Sequence, residues 1–277
     1  MAATSQSLLN TIEREVRRCR SLALRYFRAP ALRVSRKADR SPVTDADRAV
    51  EARLRAALAR LAPGETILGE EFGRSGRDAS SYWTVDPIDG TRAFSRGLPS
   101  WGIMIGRVER GRATLGVCDF PALGITMAAA SGVPAYERAS GLPQRFHPPR
   151  RVRSLDEAVL FHGGSRWWAG TRWARGFASL VRACFLERAF GDCYGYLWAL
   201  RGCADAVLDY GVKPWDMAPL AALAAGSGRV LADCDGRPSF SGPDTVLGHP
   251  AFVKRVVTIL NSSSGGPVAQ WPSGRNG

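Results

Sequence analysis

Leu8, Leu9, Ile12, Val16, Cys19, Leu22, Leu24 and Phe27 recur at mostly three- and four-residue spacing, which predicts an amphipathic helix over 5–28. The polar stretch 33–42 breaks that period and reads as a loop. Thr44 and Asp45 then offer a helix cap, and Val50, Leu54, Ala57, Leu58 and Leu61 repeat the helical spacing until Pro63-Gly64 ends it. From Thr66 the pattern shortens. A strand over 66–69 runs into Glu70-Glu71, a Gly/Ser/Asp-rich loop covers 73–81, and Tyr82-Trp83-Thr84-Val85 predicts a second strand. Strand signals return at 101–108, 113–118 and 126–130 with turn residues between them, as in an antiparallel meander.

The Pro/Arg-rich segment 141–153 separates this half from one of different rhythm. There, helical patterns at 170–183 and 192–203 alternate with strand patterns near 158–162, 185–188, 205–209 and 228–232, which argues for an α/β lobe. The expected architecture is a single domain over 1–261 with lobes at about 1–140 and 141–261, in the α+β to α/β layered-sandwich class. Residues 262–277 are Ser/Gly/Pro-rich without periodicity and are expected to form a disordered tail.

Composition narrows the function classes. With 45% hydrophobic and 23% charged residues the chain is ordinary for a soluble globular enzyme. No stretch approaches the roughly 20 apolar residues that span a bilayer, and the polar N-terminus does not resemble a signal peptide. The expected compartment is the cytoplasm, with no membrane partner. Six scattered cysteines without a CxxC pair argue against a disulfide framework or structural zinc. The net charge of +13 raises the question of nucleic acid. The arginines are spread thinly, however, and the cluster Arg150, Arg151, Arg153 lacks a recognisable nucleic-acid-binding context, so none is expected.

Chemistry concentrates at Trp83-Thr84-Val85-Asp86-Pro87-Ile88-Asp89-Gly90-Thr91-Arg92. Pro87 holds Asp86 extended, and a turn brings Asp89 near it ahead of a short helix. Two such carboxylates repel unless a cation lies between them, and hard oxygen donors favour Mg2+. Asp-Gly-Thr by itself is equally a capped turn. Two further acidic sites tip the balance: Glu70-Glu71 directly after a strand, and Trp215-Asp216 opening an Ala/Leu-rich helix.

In this order, Glu-Glu, Asp-Pro-Ile-Asp-Gly-Thr and Trp-Asp resemble the signature of the inositol-monophosphatase family. The upstream Ser41-Pro42-Val43-Thr44-Asp45-Ala46-Asp47 matches that family's Thr-x-x-Asp element, and the likeness covers about residues 5–260. It implies a hydrolase of small phosphorylated metabolites using two or three Mg2+ ions. Glu70, Asp86, Asp89, the carbonyl of Ile88 and Asp216 would bind metal. Thr91 and Asp47, with Glu70 completing the catalytic set, would position and activate water, while Gly90 and Thr91 would hold the phosphate. One ion would acidify the water and another stabilise the leaving oxygen. A homodimer is compatible with the resemblance, although no sequence feature demonstrates one.

Substrate choice is expected to rest on the second half. Phe190-Gly191-Asp192-Cys193-Tyr194-Gly195-Tyr196-Leu197-Trp198 resembles the corresponding segment of histidinol-phosphatase members of the family. Asp209, seven residues before Asp216, and Asp192 would pair with the ammonium of histidinol phosphate. Against this, Asp192 also reads as a helix cap and Asp209 as a strand-end acid. Arg92-Ala93-Phe94 departs from members with asparagine before the phenylalanine, which argues against strict inositol specificity. The alternatives are inositol phosphate, a sugar or nucleotide 3′-phosphate, and a catalytically silent basic binding protein. Haloacid-dehalogenase chemistry fails because Pro87 stands where a nucleophilic aspartate is needed. His147, His162 and His249 lack ligand spacing, and Ser165 does not sit in a nucleophile elbow.

Overall fold

A computed structural model describes residues 2–38, 41–78 and 80–262. The first half contains α1 (Ala2–Tyr26), β1 (Val34–Arg36), β2 (Pro42–Thr44), α2 (Asp45–Leu61), β3 (Thr66–Gly69), β4 (Gly73–Ser75), β5 (Ser81–Asp89) and α3 (Thr91–Ser95). It continues through β6 (Gly102–Glu109), β7 (Arg112–Phe120), β8 (Ile125–Ala130), β9 (Val133–Arg138) and β10 (Gln144–Arg145). The second half comprises β11 (Val159–His162), α4 (Ser165–Trp168), α5 (Ala174–Ala183), β12 (Leu186–Ala189), α6 (Asp192–Leu200) and β13 (Ala206–Tyr210). It ends with α7 (Pro214–Gly226), β14 (Val230–Ala232), β15 (Asp244–Gly248) and α8 (Pro250–Asn261).

Strand alternation explains the layers. On β6, Ile103 and Ile105 face the cluster built by Leu9, Ile12 and Val16 of α1 and Val50 and Leu54 of α2. Met104 between them points the other way, toward Leu197 and Leu200 of α6 and Leu220 and Leu223 of α7. The smaller sheet repeats the device: Val207 faces α6 and α7, while Ala206 and Leu208 face Phe177 of α5 and Phe252 and Val256 of α8. The order is therefore helices, sheet, helices, sheet, helices.

The larger sheet runs β10-β9-β8-β7-β6-β5-β3-β4 and the smaller β12-β11-β13-β15-β14. The predicted meander is present, β6, β7 and β8 pairing antiparallel in turn, while β3 and β5, which precede it, are parallel. The physical reason is that β4 folds back on the outer edge of β3, leaving the inner edge to pair with β5 in the same direction. The smaller sheet is mixed, with β11 parallel to β12 and β13, and β15 antiparallel to β13 and β14.

Helix α7 lies close on the larger sheet because Gly106 and Gly116, cross-strand partners on β6 and β7, offer no side chain there. A Cβ at Gly106 would stand 2.9 Å from the Pro219 nitrogen, and one at Gly116 would run into the Pro219 carbonyl. The first turn of α7 carries Asp216, so this glycine pair sets the depth of that acid against β5. The predicted helix over 170–183 is α5 preceded by the short α4, and that over 192–203 ends at Leu200, before the left-handed Gly202. Ser262 accounts for the end of α8, its N–H meeting the Thr258 carbonyl at 2.9 Å. The remainder of the expected tail lies outside the described residues.

Candidate active site

Parallel pairing decides where the acids meet. Gly69 lies opposite Val85, so the next residues, Glu70 just past β3 and Asp86 within β5, stand side by side. The Glu70 N–H donates to the Val85 carbonyl at 3.1 Å. Beyond Asp86 the pairing with β6 slips: Asp86 faces Met104, but Asp89 faces Gly102. Two residues of β5 thus oppose one of β6, and Pro87, which has no N–H to offer the ladder, occupies the irregularity. In a regular strand, positions three apart face opposite sides of the sheet. The bulge turns Asp89 back toward Asp86. The sequence pattern predicts a strand over Tyr82–Val85 with Asp86 extended beyond it, and the structure carries β5 to Asp89 through this distortion.

Asp86, Asp89 and Asp216 each bring a carboxylate oxygen into a group whose members lie within 4.8 Å of one another. Asp86 is 2% exposed, and burial followed by the charges of Glu70, Asp89 and Asp216 lifts its carboxyl well above the usual range. Asp89 is raised for the same first reason, with Asp192 and Asp216 adding to it. Burial pushes Asp216 up to about 7, opposed by the Lys213 N–H, which donates to Asp216 Oδ2 at 2.8 Å. Asp216 is thus the third residue of α7 and closes its capping box, not the N-cap itself.

Glu70 and Glu71 share one ammonium: Lys37 Nζ lies 2.7 Å from Glu70 and 2.6 Å from Glu71. Burial works against the charge of Lys37, yet its hydrogen bonds to the two glutamates hold it above the ordinary lysine value. Glu70 is raised by burial, with Lys37 pulling the other way. A compact carboxylate group, mutually repulsive and already attracting an ammonium at one edge, fits hard divalent cations.

Asp47 and Thr91 meet although they are far apart in sequence. Thr44 donates through its N–H (2.7 Å) and its hydroxyl (2.5 Å) to Asp47 Oδ2. That leaves Oδ1 facing the Thr91 hydroxyl at 3.1 Å. The same hydroxyl lies 3.0 Å from the Ile88 carbonyl. Asp47 is fully buried, and desolvation raises its carboxyl above the usual value. Gly90 precedes α3 with φ 87°, and a Cβ there would crowd the Ser100 carbonyl at 3.0 Å and Asp192 Oδ2 at 3.2 Å.

The two acids expected to touch substrate differ. Asp192 is exposed, adopts φ 56°, and directs a carboxylate oxygen toward Gly90 across the lobes. Gly191, not Asp192, caps α6. Asp209 is 7% exposed and lies within β13, accepting the Tyr210 N–H at 2.8 Å. Burial pushes it up to about 7, against the pull of that N–H. A Cβ on Gly163 would overlap its carboxylate, so the β11 end is pressed directly against it.

Two participants escaped sequence reasoning. Lys37 sat unremarked in a polar loop. Glu51, fully buried on α2, accepts the N–H groups of Glu71 (2.7 Å) and Phe72 (3.2 Å) and the Arg55 guanidinium at 2.7 Å, fixing the turn that carries Glu70. Its signal was a glutamate four residues after Asp47 on the apolar face of the helix, with Arg55 one turn further.

The layered fold with acids gathered where β3, β5 and α7 converge defines a class: the chain belongs to the inositol monophosphatase family, whose model matches residues 5–263. It is a phosphoric monoester hydrolase. Among its relatives, the histidinol-phosphatase of Mycobacterium tuberculosis is 36% identical over 236 residues, covering 85% of this chain and 91% of that protein. The histidinol-phosphatase of Streptomyces coelicolor is 32% identical over 217 residues, 76% of this chain and 81% of that protein. The fold is shared with extragenic suppressor protein suhB of Bartonella henselae, at TM-score 0.83 and 22% identity over 93% of this chain and all of that one. No helix among the described residues is long and apolar enough to cross a membrane.

Proposed function

We propose that the protein hydrolyses L-histidinol phosphate to L-histidinol and phosphate in a Mg2+-dependent reaction. Glu70, Asp86, Asp89, the Ile88 carbonyl and Asp216 are the residues that would hold the ions. When bound, Mg2+ supplies neutralisation of the phosphate charge and acidification of water. The Thr91 hydroxyl, by donating to Asp47 Oδ1, keeps a lone pair free to accept a proton from the attacking water. Asp47 is the acceptor behind it, its other oxygen held by Thr44. Gly90 and Thr91 seat the phosphate at the start of α3, where no Cβ stands between the backbone and the ligand.

The observation that carries the substrate reading is Asp192. Its carboxylate approaches Gly90 from the opposite lobe, and on this reading it meets the leaving group of a phosphate seated there. An ammonium at that place gains a charge-assisted hydrogen bond that a neutral hydroxyl does not. The likeness to two proteins named histidinol-phosphatase points the same way. Asp209 supports this wall from behind through the β11 end and joins the pairing in its ionised form. Phosphate release from a panel of phosphomonoesters, with Mg2+ and after chelation, tests the reading. Histidinol phosphate should give the highest kcat/KM and lose turnover on chelation. A higher value for inositol 1-phosphate or a nucleotide 3′-phosphate would refute the substrate.

A further inference from the structure

Arg92 follows Thr91 directly, and Trp167 belongs to α4 in the other lobe. The Arg92 guanidinium carbon lies 5.2 Å from the centre of the Trp167 ring. Arg166 lies 4.9 Å from the same ring. The indole is 40% exposed and rests on Gly164, where a Cβ would come within 2.9 Å of its Cδ1. Gly163, the preceding residue, packs against the Asp209 carboxylate. Arg92 is also close enough to the Asp192 carboxylate to act on its charge. One end of this contact is therefore anchored beside the phosphate seat and the other beside the second-lobe acids.

We propose that Arg92 and Trp167 form a side-chain latch across the mouth of the site that limits the size of the leaving group. The inference rests on the reading that phosphate is seated at Gly90 and Thr91. A guanidinium over an indole is a favourable pairing, and here it spans the gap that any leaving group longer than a few atoms must cross. Small esters fit beneath it. A nucleoside must separate the two side chains and lose their contact, a cost paid only by the larger ester. Both residues lie outside the carboxylate cluster and the Thr91–Asp47 pair, so their loss leaves the chemistry intact.

The test compares kcat/KM for adenosine 3′-monophosphate and glycerol 2-phosphate in the parent, Arg92→Ala, Trp167→Ala, the double variant and Trp167→Phe. The ratio of large to small ester should rise about tenfold in each alanine variant, the scale of one pocket contact. It should rise no further in the double variant, because both changes break one contact, and Trp167→Phe should stay near the parent. Turnover of glycerol 2-phosphate should hold within about twofold. A ratio unchanged in both single variants overturns the latch, as does an equal fall for both esters, which would make these residues supports of the fold. Neither ester is histidinol phosphate, so the outcome is independent of that assignment. If glycerol 2-phosphate turnover survives Asp86→Asn and Asp89→Asn, the placement of the reaction beside Gly90 is at fault and not the latch.

Discussion

The two walls of the cleft are built differently. On the first, Asp86, Asp89, Gly90 and Thr91 come from one uninterrupted stretch, and a β-bulge and a left-handed glycine fix their relative positions. On the second, Asp192, Asp209 and Trp167 come from separate elements around the smaller sheet; each lies against a glycine, and Asp209 also accepts the Tyr210 N–H. The first wall has no adjustable part: a shift of one residue would dissolve the acidic cluster. The second is assembled from loop ends and helix starts, where an exchange alters a surface and leaves the chemistry in place. On the function proposed, chemistry is invested in a rigid motif and substrate choice in a modular one.

The strongest blow to that comparison falls on the first wall. Asp86→Asn and Asp89→Asn should each lower turnover by about a thousandfold or more, since each removes a charged oxygen from the ion-holding group. Melting temperature without metal should be unchanged or higher, because the exchange relieves repulsion among Glu70, Asp86, Asp89 and Asp216. Near-parental turnover at limiting Mg2+ would remove the cluster from the reaction. Next comes Thr91→Ala, with kcat expected to fall about 100- to 1000-fold and KM to change little. A loss of thermal stability with normal kcat would instead make the hydroxyl a structural tie between α3 and Ile88.

The second wall should answer more mildly and only for one substrate. Asp192→Asn is expected to weaken the preference for histidinol phosphate over inositol 1-phosphate by about 1.5–3 kcal/mol, the worth of a charge-assisted hydrogen bond. Asp209→Asn should have a smaller effect, because its carboxylate is engaged with the Tyr210 N–H. Equal loss on both substrates would return these acids to a purely structural role, measurable by side-by-side kinetics.

The smallest effect is on stability against pH. Asp209 and Asp216 titrate near 7 in the folded, metal-free protein, against about 4 unfolded. Between those values the folded state binds more protons, so the contribution of these two groups to stability is fully present below about 4 and is lost as pH rises through 7. Mg2+ favours the ionised cluster, so the rise in melting temperature that it produces should grow over the same window. A pH-independent shift in calorimetry would contradict this.

Much of this was legible in the chain because the signals are local. The period of Leu9, Ile12 and Val16 gave α1, and Thr44 with Asp47 marked the start of α2. Asp86 to Thr91 is readable since its ligands and its turn are neighbours. Phe252, Val253, Val256 and Leu260 behind His249-Pro250 carried the signal of α8, which the reading of the second half did not use. What was hidden depends on register. That Glu70 stands beside Asp86 follows from β3 pairing parallel with β5, and the engagement of Asp209 follows from the approach of Gly163; neither leaves a trace in spacing. Lys37 and Glu51 were missed for the same reason, being partners by folding and not by sequence.

The most direct test of the account is internal competition. Equal concentrations of histidinol phosphate and inositol 1-phosphate are offered to the protein in one Mg2+-containing solution, and the two alcohols are quantified early in the reaction. Their ratio is the ratio of the two kcat/KM values. Histidinol should form in clear excess, and chelation of Mg2+ should stop both. Inositol in excess, or undiminished product formation after chelation, would contradict it.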